Sequence, residues 1–314
     1  MQSGPIDELI FVDVNGTKQC LLLRGDDSSK PIVLFIHGGP SHPLMWYSRA
    51  FDNLTVQDFL VVHWDQRRAG KSFSADVPIE TCTLDQFVDD GLAVLEYLIQ
   101  RFCGSPITVV AHSWGTMIAA NMAARRGGDI QALLMVGTCA NWSRGEIDRY
   151  EDLIRKARDS GDRECFEQLI TLGAPPYRVI EDATRFGELV YRLDGFAGTS
   201  RKLSEVDLAE AINRSKEYSE SEIAQTVTAL HETLAHLGDF LSEYVLADAV
   251  PRIDCPVHFV HGRYDRNTPL NLAKEYFHSL DAPAGKSWHE FEDCAHLPMY
   301  EDPVRFHEIL RSVV

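Results

Sequence analysis

Seven cysteines stand in this 314-residue chain, at positions 20, 82, 103, 139, 165, 255 and 294, and no two are spaced as C-x-x-C. That absence argues against ribbon-type zinc sites and dithiol redox motifs. The scatter of the thiols through apolar runs reads as packed side chains in a reducing compartment. Positive charge is also scarce: 30 Lys and Arg face 47 Asp and Glu, a formal net charge of −17. Nucleic acid and anionic membranes are held by basic patches, so neither is expected as a partner. No apolar run is long enough to span a bilayer. Met1-Gln2-Ser3-Gly4-Pro5 lacks the basic region and apolar core of a secretion signal, and a cytoplasmic location is expected.

Two partial motifs fail on spacing. Gly70-Lys71-Ser72 resembles the end of a phosphate loop, but the position that needs the upstream glycine holds Asp65. The run His231-Glu232-Thr233-Leu234-Ala235-His236 is one residue longer than H-E-x-x-H, which turns the two imidazoles about 140° apart on a helix. No cofactor and no metal are expected. Asp65 and Arg67 are expected to brace their own loop as an ion pair.

What the chain does have is 45% hydrophobic residues in an alternating rhythm. An Asn15-Gly16 turn between Glu8–Val14 and Thr17–Leu23 predicts an antiparallel hairpin. Strands near 32–36, 59–64, 107–112 and 131–137 then alternate with helical stretches near 47–54, 83–102 and 115–126, the pattern of a parallel, doubly wound α/β sheet. Thr83-x-x-Gln86 reads as a capping box. Between 143 and 246 the rhythm becomes wholly helical, and strand–helix alternation resumes at Ile253. The core is therefore expected at 1–142 and 247–314, with 143–246 an inserted helical cap, or lid, roofing the site. Phe186, Tyr191, Phe196, Tyr218, Phe240 and Tyr244 are candidates for the pocket lining or for the cap's own core.

The chemistry-bearing motif is Ile107-Thr-Val-Val-Ala-His-Ser-Trp-Gly115, an apolar strand ending abruptly in a helix. A serine on so sharp a turn needs small residues two before and two after it, and Ala111 and Gly115 supply them. The turn would present the Ser113 hydroxyl above the sheet edge and leave the Trp114 N–H at a helix N-terminus, where it can stabilise an oxyanion. Upstream, Ile32–Ile36 breaks into His37-Gly38-Gly39-Pro40, so the second oxyanion donor is expected from Gly38 or Gly39. Downstream, Asp265 follows the strand-like Val257–Gly262, at the strand end where α/β sheets gather catalytic groups. His296 lies in the loop before the terminal helix Pro303–Val313. There it could take the Ser113 proton while Asp265 fixes its tautomer. Among the other histidines, His112 is expected to point away from the nucleophile, His261 to be confined to its strand, and His307 to pack or face solvent.

In these residues the chain resembles the α/β-hydrolase superfamily. His37-Gly38-Gly39-Pro40, Asp65-Gln66-Arg67 with Gly70 and Ser72, and Ser113-Trp114-Gly115 resemble its proline iminopeptidase branch. The resemblance implies an α/β-hydrolase fold, a Ser113–Asp265–His296 triad, and Gly39 and Trp114 as oxyanion donors. Three departures from that branch stand out: Ser41 and Arg68 each replace a glycine, and the pair Ala111-His112 replaces Gly-Gly. Each borders the pocket, so the acyl specificity stays open.

The reading is a serine hydrolase working through an acyl-enzyme on Ser113, with a small-molecule or short-peptide substrate. Cleavage of an amide at a peptide N-terminus leads. Esters, lactones and thioesters are alternatives, as is a binding protein or lyase built on the same scaffold. From 143 to 250 the chain carries 22 Asp and Glu against 13 Lys and Arg, an acidic roof suited to a free amine. In the proline iminopeptidase family, cap glutamates hold that amine, and Glu217, Glu220, Glu222 and Glu232 form the pool for such a group here.

Overall fold

The computed structural model describes residues 4–177, 180–194 and 203–314. Its centre is one eight-stranded sheet: β1 (Ile6–Val14), β2 (Thr17–Gly25), β3 (Ile32–Ile36), β4 (Leu60–Asp65), β5 (Ile107–His112), β6 (Ala132–Val136), β7 (Val257–Gly262) and β8 (Lys286–Phe291). The strand order is β1-β2-β4-β3-β5-β6-β7-β8. Asn15 and Gly16 take positive φ of 44° and 79°, closing the β1–β2 hairpin in antiparallel register. β2 pairs antiparallel with β4, and from β4 to β8 every pairing is parallel. β3, β5 and β6 are buried along their whole length, as strands covered on both faces must be.

Helices α1 (Leu84–Arg101) and α2 (Trp114–Arg126) connect the central strands, α8 (Leu270–Ser279) connects β7 to β8, and α9 (Pro303–Val313) follows β8. Alternate strand residues feed two cores. Leu34, Ile36, Val109, Ala111 and Met135 meet Phe87, Leu95, Trp114 and Ile118 on one side. Val33, Phe35, Val110 and Val136 meet Trp46, Tyr47, Phe306 and Leu310 on the other. Thr83 caps α1 by accepting from the Gln86 N–H. The reciprocal half of the expected box is not made, because the Thr83 N–H donates to Thr81 O at 3.0 Å, while the Gln86 amide nitrogen donates to Asp90 Oδ1 at 2.9 Å.

Between β6 and β7 the described residues form helices and no strand: α3 (Trp142–Ser160), α4 (Arg163–Leu172), α5 (Ile180–Asp194), α6 (Glu205–Asn213), α7 (Glu220–Glu243) and a short turn at Leu246–Ala249. Caps define them locally. Asn141 accepts from the Arg144 N–H before α3, and Ser219 with Glu222 completes a reciprocal capping box at α7. Phe186 packs with Leu153, Cys165 and Leu169 in a small core belonging to these helices. Tyr191 faces solvent, and the Tyr244 hydroxyl accepts from Asn121. Phe196 lies outside the described residues. No described helix is long and apolar enough to cross a membrane.

Candidate active site

Ser113 sits between β5 and α2 with φ 53° and ψ −122°, a backbone state that non-glycine residues rarely hold and that costs roughly 1–3 kcal/mol. The turn is tight enough to dictate its neighbours. A Cβ added at Gly115 would lie 2.4 Å from the Ile36 carbonyl oxygen, and one at Gly38 would lie 2.9 Å from Ser113 Cβ. The Ser113 N–H donates to Val136 O at the end of β6. Trp114 opens α2, where a first-turn N–H has no intrahelical acceptor.

The loop bearing Gly38 and Gly39 is aimed by His37. Burial pushes the His37 imidazole down to about 4, so it is neutral near pH 7. Its Nε2 accepts the Gln66 N–H at 3.1 Å, which leaves the proton on Nδ1, 2.8 Å from Gly38 O. The His42 N–H also reaches Gly38 O, at 3.2 Å. Because the Gly38–Gly39 peptide is trans, the Gly39 N–H points opposite to that doubly held carbonyl. Gln66 then bridges both halves of the site, donating to His37 O at 2.8 Å and accepting from Trp114 Nε1 at 3.2 Å.

Asp265 and His296 meet although 31 positions separate them, with His296 Nδ1 lying 2.9 Å from Asp265 Oδ2. Asp265 accepts the N–H groups of Asn267 and Thr268 at 2.9 Å each and the Thr268 hydroxyl at 2.8 Å. Burial alone would raise its carboxyl. His296, then His261 and Thr268, outweigh burial and hold the group well below the usual carboxylate range. The carboxylate therefore fixes the His296 proton on Nδ1 and leaves Nε2 as a lone pair. The loop is stapled by Glu301, which accepts from the Ala295 and Leu297 N–H groups at 2.8 Å each. Gly137, with φ 56°, forms the floor: a Cβ there would stand 3.1 Å from His296 Nδ1 and 3.2 Å from Asp265 Oδ2.

Two histidines set aside in the sequence turn out to support this pair. His112 Nε2 donates to His296 O at 2.9 Å, with ring centroids 4.5 Å apart. His261 Nε2 faces Thr268 O at 2.8 Å and Asp265 Oδ2 at 3.5 Å. Both are buried, and burial lowers both imidazoles, so each acts as a neutral donor. Glu301 and Gly137 escaped the sequence reading, and Gln66 entered it only as part of Asp65-Gln66-Arg67, without its bridging role. The available signals were a glutamate one turn beyond His-Leu-Pro, a glycine ending a strand and a glutamine following one.

Residues 33–309 match the Alpha/beta hydrolase family. The chain belongs to that family. Among curated relatives, this hydrolase is 30% identical over 302 residues to the probable aminopeptidase YbaC of Bacillus subtilis (strain 168), covering 94% of this chain and 92% of YbaC. It is 25% identical over 300 residues to the proline iminopeptidase of Heyndrickxia coagulans, covering 94% of each. Among solved structures, the proline iminopeptidase of Mycobacterium smegmatis superposes with a TM-score of 0.68 at 22% identity over 97% of both chains. At that identity the likeness shows the fold.

The hydrolase's rim differs from expectation in its ion pairs. Arg67 pairs with Asp90, through Nε and Nη2 at 2.9 Å each, and not with Asp65. Asp65 instead accepts from the Tyr218 hydroxyl at 2.6 Å and the Lys71 N–H at 2.8 Å. Of the four glutamates in the amine-binding pool, Glu217 pairs with Arg49, Glu222 with Lys71 and Glu232 with Arg68, and Glu220 is exposed. Glu146, near the start of α3, is half-buried, and burial raises its carboxyl with Arg149 opposing.

Proposed function

We propose that this alpha/beta hydrolase is a serine hydrolase that works through an acyl-enzyme on Ser113, in the cytoplasm, on a short peptide or small molecule. The observation that carries the reading is the Asp265–His296 contact of 2.9 Å beside the Ser113 turn. His296 Nε2 takes the hydroxyl proton as Ser113 Oγ attacks the carbonyl. The oxyanion faces the N–H groups of Trp114 and of Gly39 or Gly38, and the imidazolium returns the proton to the leaving group. Water then repeats the sequence on the acyl-enzyme. Segment 143–246 acts as the cap that encloses the substrate.

The leading substrate is an amide at a peptide N-terminus, of proline iminopeptidase type, supported by likeness to YbaC and to the Heyndrickxia coagulans enzyme over nearly the whole chain. Glu146 is the cap carboxylate we assign to the substrate amine, because the pool glutamates on and beside α7 are exposed or already paired with cations. That same pairing favours an ester, lactone or thioester as the second reading, since those substrates need no amine partner. Aminoacyl arylamides, prolyl first, should be cleaved, and N-acetylation should lower kcat/KM at least about tenfold, the loss of one charge-assisted contact. Glu146→Gln should lower the free-amine substrates comparably and leave acetylated ones unchanged. Turnover of neutral p-nitrophenyl esters or lactones with every free-amine amide inert would replace the peptidase reading by the second.

A further inference from the structure

Ser41 and Arg68 share an uncommon backbone state, with φ of 63° and 56° in the left-handed region that favours glycine. Each lies two residues from a group that shapes the site: Ser41 follows Gly39, and Arg68 follows Gln66. Each also sends its side chain to α7, where the two receiving residues are consecutive. Ser41 Oγ lies 3.2 Å from Thr233 Oγ1. The Thr233 hydroxyl already donates to Ala229 O at 2.7 Å, so Ser41 is the donor of the pair. Arg68 Nη2 donates to Glu232 Oε2 at 2.6 Å, and Nη1 is anchored by Val77 O at 2.6 Å.

The Ser41 tether is buried at both ends, whereas the Arg68 tether runs from a buried guanidinium to Glu232, whose side chain is 47% exposed. Ser41 and Thr233 are 1% and 0% exposed, and Arg68 is 7% exposed with its guanidinium against the Phe73 ring. A cleft of about 420 Å³, lined by Arg68, Val77, Pro78, Ile79, Glu232 and His236, opens beside the ion pair. Glycine would hold the same φ without strain but would offer no side chain to reach the helix. A serine and an arginine held there fix the direction of each tether as well as its existence.

We propose that Ser41 and Arg68 are specificity-determining residues, which hold α7 at Thr233 and Glu232 against the Gly39 and Gln66 loops and so limit the size of substrate that reaches Ser113. The assignment rests on the reading of Ser113 as the reacting group. Its consequence is a narrow acyl range in the native chain that widens when either tether is cut.

The test compares p-nitrophenyl acetate, butyrate and octanoate on the wild type and on S41G, R68G, R68K and E232Q, together with amide hydrogen exchange over 226–240. The ratio of octanoate to acetate kcat/KM should rise at least about fivefold in S41G, R68G and E232Q, through a lower octanoate KM with the acetate kcat little changed, and R68K should fall between. Exchange in 226–240 should quicken by about tenfold in the same variants while β3 and β5 stay protected. An unchanged ester ratio would overturn the assignment, whether or not exchange quickens. Unchanged exchange in folded R68K and E232Q would overturn it too, even if R68G does not fold. A wild type that fails to label at Ser113 with a fluorophosphonate and cleaves no ester would overturn the Ser113 reading. Exchange alone would then decide whether Ser41 and Arg68 hold α7.

Discussion

Glu301 accepts the N–H groups on both sides of His296, so replacing one of its oxygens by an amide nitrogen sets donor against donor at one of them. Glu301→Gln should therefore lower kcat by roughly tenfold with a smaller change in KM, since a displacement well under 1 Å of a general base is enough for that loss. Steady-state kinetics beside a thermal melt separate this from simple destabilisation; equal losses of kcat in proportion to unfolded protein would contradict it. Gly137→Ala would crowd His296 Nδ1 and Asp265 Oδ2 with a methyl group, and fluorophosphonate labelling of Ser113 should slow at least about tenfold. Labelling at the wild-type rate would show that the pair yields to the methyl group. The Ser113 turn and the Asp265–His296 pair were approachable from the sequence because Ser113 and Asp265 each follow an apolar strand run and His296 lies in the loop before the terminal helix. Glu301 and Gly137 were not, because their roles depend on which loops meet across the sheet edge. The contact of His112 with the His296 loop was hidden for the same reason, since its partner is a backbone carbonyl 184 positions away.

At the scale of elements, the strands and the helices between them followed from apolar runs broken by glycine and from caps at helix starts. The β1–β2 hairpin followed from Asn15-Gly16 alone. The long-range pairing of the 65–72 loop was not legible: Asp65 and Arg67 lie close in sequence, but α1 brings Asp90 to Arg67 and the segment before α7 brings Tyr218 to Asp65. Asp65 gives that link a pH signature. Burial raises its carboxyl to about 7, opposed by the Tyr218 hydroxyl and the Lys71 N–H. The unfolded chain ionises this group near 3.8 and the folded chain near 7, so its contribution to stability falls as pH rises between those values and is constant above them. Asp65→Asn removes that dependence. From pH 4.5 to 7.5, urea unfolding of the wild type should lose at least about 1 kcal/mol relative to the variant. Parallel stability profiles would show that Asp65 ionises alike in both states.

For the whole molecule, the hydrolase core came through in the sequence because a parallel sheet buried on both faces writes continuous apolar runs. The helices from 142 to 249 were legible as helices, but their registration on the core was not, since Tyr218, Glu222, Glu232 and Thr233 meet partners more than 150 positions away. Glu217, Glu222 and Glu232 meet Arg49, Lys71 and Arg68 of the core, pairings that composition alone does not disclose. The central claim is that Ser113 carries the acyl group, and the most direct measurement is rapid-quench mass spectrometry after mixing with a p-nitrophenyl ester. The expected result is a single acyl adduct on the peptide containing Ser113, formed in a burst and lost on turnover, absent in Ser113→Ala and formed orders of magnitude more slowly in His296→Ala. Turnover by Ser113→Ala at the wild-type rate, or an adduct on any other residue, would contradict it.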